Sequence, residues 1–200
     1  MLGTSVSAVL FYNSIFRMSK TDVIIILKDQ GSKCDNIKFC KLLSGDILIR
    51  RHITPNTSLF NLTLRPYFTH TAFYEGNGRI IEAIGNQKKN ENEIKIIELS
   101  KSDWTSENIE SFVVIRPNYP QGTLTTVTNN LEKIANDSEY RFGLPQLSNK
   151  QTNCSDMIFR QLEIIKLVNS KGLSTFITPD YLFWNTSNNQ NYKIVFKYTS

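Results

Sequence analysis

Two hundred residues with 40% hydrophobic and 11% aromatic content supply one core of ordinary size, which argues against a second full domain. The 23 Lys and Arg against 18 Asp and Glu give a formal charge of +5, but the basic residues are scattered without a run or patch, so nucleic acid is not an expected partner. Cys34, Cys40 and Cys154 make an odd count with no CxxC pair and no histidine at ligand spacing; this points away from a disulfide framework or zinc site and toward free thiols, no metal and no cofactor.

Residues 1–40 read as an N-terminal extension holding a first strand or helix, and 41–200 as the main domain. The apolar stretch AVLFYNSIF lacks a basic lead-in, is interrupted by Asn13 and Ser14, and has no clean small-residue cleavage site, so it does not resemble a secretory signal. TDVIIILKDQ is far too short to span a bilayer, and no transmembrane segment is expected. Free thiols favour a reducing compartment, the cytoplasm, with export as the alternative.

Short β-branched runs bounded by Gly, Pro and Asn then predict strands at GDILIRR (45–51), HTAFYEG (70–76), RIIEAI (79–84), EIKIIEL (93–99) and FVVIRP (112–117). Only Asn77 and Gly78 separate the second from the third, which predicts a hairpin. With a two-residue turn, opposite residues sum to 155. Glu82 should then face Phe73, and His70 position 85, about three residues out of step, unless a bulge or twist intervenes.

TLTTVTNNLEKIAND (123–137) carries Leu124, Val127, Leu131 and Ile134 at helical spacing. Cys154, Ile158, Leu162 and Ile165 form a second apolar stripe, predicting a helix that starts at Cys154 under an Asn153 cap and is stopped by Gly172. SNNQN reads as an exposed loop, and YKIVFKY as a final strand.

A thiol attacks as thiolate, and a helix N-terminus favours the ionised sulfur while offering backbone N–H donors to an oxyanion. Cys154 has that address, although a lone cysteine there equally suits a core position. Of the two histidines, His52 follows Arg50 and Arg51 in a loop-like setting. His70 opens a strand, and Glu82, in RIIEAI, is the carboxylate available to orient it. In isolation, each also has a structural reading.

In order and spacing, GDILIR, FTHTAFYEGNGRIIEAIG, FVVIRP, TNCSDMIFRQL and ITPDYLF resemble the motifs of the permuted NlpC/p-sixty cysteine hydrolases, the YiiX-like branch, over roughly residues 42–185. The related lecithin:retinol acyltransferase-like proteins commonly place a histidine where Glu82 stands. The resemblance implies an α+β, circularly permuted papain-like fold: an antiparallel sheet packed against helices, with the nucleophile at a helix N-terminus. It implies Cys154 as nucleophile, His70 as general base and acid, and Glu82 as third member. Tyr140 and Asn153 are candidates for oxyanion or substrate contact, and Asp46 is read as structural. Asp156 stands in the first turn where the family more often has Glu, and Thr178–Pro179–Asp180 is expected to form a turn. The implied reaction is cleavage of an amide or ester in a peptide, isopeptide or lipid amide. The alternatives are transfer to a lipid or amine acceptor, or a non-catalytic module that holds a peptide or acyl chain.

Overall fold

The computed structural model describes residues 16–52, 66–86, 91–137, 139–140, 151–169 and 177–199. The fold is α+β. Seven strands form one sheet in the order β1 (Ser32–Lys33), β9 (Tyr192–Thr199), β6 (Ile109–Pro117), β2 (Ile47–His52), β3 (His70–Gly76), β4 (Arg79–Asn86), β5 (Glu91–Glu98). All neighbours are antiparallel except β1 and β9. A parallel pair of two-residue strands, β7 (Glu139–Tyr140) and β8 (Gln151–Thr152), forms a separate sheet whose β7 lies against β4 and β5. The helices are α1 (Lys20–Leu27), α2 (Thr123–Asp137), α3 (Cys154–Ile164) and α4 (Pro179–Ser187). No helix of the described residues is long and apolar enough to cross a membrane.

Strand alternation sorts the core into two clusters. Ile47, Ile49, Phe73, Ile81, Val113 and Ile115 pack with residues of all four helices, among them Leu27, Leu131, Phe159 and Leu182. Their neighbours Leu48, Ala72, Ile80, Phe112 and Val114 pack instead with Ile37, Cys40, Leu99 and Trp104 from the connecting segments. Covering both faces is why ILI and FVVI read as unbroken apolar runs rather than alternating ones.

Four expectations need correction. Cys34 and Cys40 are bonded to each other: a short 3-10 turn at Ile37–Phe39 folds the chain back and brings their Cα atoms to 5.8 Å, within disulfide range. Cys154 is the free thiol, and the step from free thiols to the cytoplasm loses its premise. Thr178–Pro179–Asp180 is a helix start rather than a turn, with Thr178 as cap and proline in the first turn, where its missing N–H is harmless. Helix α3 ends at Ile164, well before Gly172, which lies outside the described residues. Lys166 takes a left-handed conformation, φ 60°, and Leu167 N–H closes onto Leu162 O, so Leu167 and Val168 can turn into the core.

The fourth correction is the hairpin register. Asn77 and Gly78 both have positive φ, as a two-residue hairpin turn requires, and Gly76 pairs with Arg79 as counted. Glu75 is then an extra residue: Tyr74 pairs with Ile80, Phe73 with Ile81 and Ala72 with Glu82. A one-residue slip exchanges the two faces of a strand. Without the bulge, Glu82 would share the parity of Phe73 and point away from His70. With it, Glu82 lies diagonally across from His70 on the same face.

Asp180 ties the entry of β3 to α4 and to the chain before α1. Fully buried, it accepts N–H bonds from Met18, Tyr67 and Phe68, each at 2.7 Å. At the other end of β2 and β3, buried Asp46 accepts two hydrogen bonds from Arg116, at 2.7 and 2.8 Å, and one from Leu43 N–H, a structural anchor.

Candidate active site

Pairing between β3 and β4 ends at Ala72–Glu82, while β4 continues beside β5 to Asn86–Glu91. The edge of β3 at His70 and Thr71 is therefore unpaired on the β4 side, and the first residue of α3 reaches it. Asn153 caps this helix with its side-chain oxygen, accepting from Ser155 N–H at 3.0 Å and Asp156 N–H at 2.9 Å. Ser and Asp in the second and third helical positions suit such a cap, and the Asp156 carboxylate complements the helix dipole. The cap also limits what the helix start offers chemically. With the Ser155 and Asp156 amides bound, the Cys154 N–H is the donor of the first turn left for an oxyanion.

The Cys154 sulfur lies near enough to the His70 imidazole and to Thr71 for both to act on its ionisation, and its hydrogen-bonding contact among the described residues is with Ser155 Oγ at 3.9 Å. His70 Nε2 lies 3.0 Å from Glu82 Oε2, which leaves Nδ1 as the ring nitrogen available to sulfur. The same carboxylate oxygen accepts from Trp104 Nε1 at 2.9 Å. Cys154 and Glu82 are 6% and 1% exposed, and the His70 side chain 13%, so the three form a largely buried group in which the histidine is the most accessible member.

Electrostatics favour an ion pair. Burial opposes ionisation of Cys154, but the neighbouring His70 imidazole and its charge, with Thr71 beside the sulfur, bring the thiol down to about 7. Burial likewise opposes charging of His70, and its contacts with the Cys154 sulfur and the Glu82 carboxylate raise it above the usual histidine value. Glu82 is held below the usual carboxylate range: burial works against it, and the His70 hydrogen bond and charge, the Trp104 indole and the Arg50 charge outweigh burial. The directions agree with one another, a proton leaving sulfur for imidazole and a carboxylate stabilising the result.

Of the residues singled out in the sequence, Cys154, His70 and Glu82 meet here. Asn153 serves as helix cap through its oxygen. Tyr140 is the second residue of β7, and its side chain lies outside the described residues. Three contributors escaped the sequence reading. Thr71 was hidden beside His70. Trp104, in KSDWTSEN, is marked by no spacing. Arg50 had the one available signal, a charge within an apolar strand two positions from Leu48, and the structure sets it directly across from His70. Among the described residues no group of three or more His, Cys, Asp or Glu is placed to hold a metal ion.

No protein-family model matches this chain, and no curated protein matches it either. The site is therefore read from its own geometry.

Proposed function

We propose that the protein is a cysteine hydrolase of the permuted papain-like type, acting on an amide or ester through a thioester intermediate. The observation that carries this reading is the convergence on one point of a thiol at a helix start, an imidazole and a buried carboxylate 3.0 Å from that imidazole. A chance core cysteine has no need of such partners, and a buried histidine–carboxylate pair is costly unless it serves something.

In this reading His70 Nδ1 takes the thiol proton, and the Cys154 sulfur attacks the carbonyl carbon to form a C–S bond. The Cys154 N–H faces the resulting oxyanion. As the C–N or C–O bond breaks, the imidazolium returns the proton to the leaving amine or alcohol. His70 then deprotonates a water, which attacks the thioester carbonyl and releases the acid and the thiol. Glu82, bound through Nε2, keeps the ring in the tautomer and orientation this requires, and Trp104 holds Glu82. The substrate is a peptide, isopeptide or lipid amide, or an ester.

The test is a panel of acyl-amide and ester activity probes applied without reductant, with mass spectrometry locating the adduct. With Cys34 and Cys40 joined, one adduct is expected, on Cys154, and it disappears in Cys154→Ala and His70→Ala. Modification elsewhere, or equal modification in His70→Ala, would sink the assignment.

A further inference from the structure

Arg50 lies beside this site and, apart from the effect of its charge on Glu82 and His70, has no role in the chemistry above. It stands across from His70 in the β2–β3 ladder, and its guanidinium lies over the Trp104 ring, 4.6 Å from the centroid. The residue is 5% exposed, yet its Nε and Nη1 are sealed from solvent without a hydrogen-bond partner among the described residues. Two residues further along β2, His52 Nε2 is likewise buried and unpartnered. Unmade hydrogen bonds of buried donors are expensive, and more so for a charged group.

The guanidinium does not escape by losing its proton. Burial lowers it to about 10, with Glu82, Asp103 and Cys154 as the opposing charges, so it stays cationic at neutral pH. Glu82 does not satisfy it: Oε2 is spent on His70 and Trp104, and Oε1 makes no hydrogen bond among the described residues. A permanent cation with idle donors, braced on an aromatic face next to a nucleophile, is the arrangement that receives an anion.

We propose that Arg50, with His52 beside it, anchors a carboxylate of the substrate next to the scissile carbonyl, so that the preferred substrates carry a carboxylate close to the bond that is cleaved. This rests on the reading of Cys154 as nucleophile. Aliphatic amides and esters without a nearby negative charge are then poor substrates, because they leave the guanidinium unpaired in the complex as well.

Iodoacetate and iodoacetamide test this without knowledge of the natural substrate, since they differ only in carboxylate against carboxamide. Their rates at Cys154 are measured in the wild type, Arg50→Lys and Arg50→Met. The expected result is that iodoacetate reacts with saturable kinetics, and that acetate competes with it while equal chloride does not. The ratio of iodoacetate to iodoacetamide rates should fall by about tenfold or more in Arg50→Met, the size of one charge-assisted hydrogen bond. The ratio cancels any general loss of thiol reactivity, and removing the Arg50 charge favours protonation of His70, which would draw iodoacetate more strongly in Arg50→Met and so cannot produce the expected fall. A linear dependence on iodoacetate, no protection by acetate, or an unchanged ratio in Arg50→Met overturns the anchor. Protection by inorganic phosphate alone overturns the choice of carboxylate. Should Arg50→Met fail to fold, acetate protection of the wild type still decides. Iodoacetamide labelling of Cys154 with an inflection near 7 tells a missing anchor apart from a missing nucleophile.

Discussion

The two histidines of this chain show how neighbouring places in one sheet impose opposite protonation. His52 on β2 is pushed down to about 4 by burial first and then by the charge of Arg50, with Asp103 opposing and His70 adding to the effect. His70 on β3 is also buried and also feels Arg50, yet it moves up, because it alone touches the Cys154 thiol and the Glu82 carboxylate. Desolvation and a nearby cation act on both rings; the neighbouring thiol and a hydrogen-bonded carboxylate reverse the outcome on one. A histidine's charge is decided by what its nitrogens meet rather than by depth.

The comparison breaks most sharply if the partners of His70 are removed. Cys154→Ala should abolish thiol labelling, and His70→Ala should slow alkylation at Cys154 by about 20-fold at pH 6.5, the loss of thiolate that follows when the inflection moves from about 7 to about 8.5, measured by mass spectrometry over time. Because the thiol is lowered to about 7, its reactive form is present above that pH and is lost as pH falls through it. The rate should therefore inflect near 7 in the wild type and move toward the ordinary thiol range of about 8.5 in His70→Ala. An unshifted inflection would show that His70 does not govern the sulfur.

The strand entry that delivers His70 depends on Asp180. Asp180→Ala strands three buried N–H groups and should lower stability by about 3 kcal/mol, read from chemical denaturation. A loss below about 1 kcal/mol would mean that the strand entry holds itself in place.

Glu82→Gln should reduce Cys154 reactivity by about 10- to 100-fold, the range for a group that orients a histidine, and should raise the inflection by removing the imidazolium's counter-charge. His52→Gln sharpens the contrast from the other side: its alkylation rate with iodoacetamide should stay within about threefold of wild type. A large loss there would give His52 a share in the chemistry.

Alternation, turn residues and capping are local, and they carried the strands from Ile47 to Pro117, the 123–137 helix and the start of α3 at Cys154. Local rules failed where a fold-back or an extra residue mattered. Cys34 and Cys40 do not advertise their pairing, because the turn that joins them depends on packing against the segment around Trp104. The segment ITPD reads as a turn until Asp180 is seen collecting amides from Met18, Tyr67 and Phe68, more than a hundred residues away.

By its residues alone the chain determined an α+β pattern and put a thiol at a helix start, since helix caps and hairpin turns are set by neighbours in sequence. Only the tertiary structure decided that Glu82 serves His70. That depends on the single bulged residue Glu75, whose insertion turns β4's carboxylate onto the histidine's face, and on the splay beyond Ala72 that admits the sulfur. Such features arise from how strands settle against two packed cores, a balance of contacts between distant segments that no local pattern encodes.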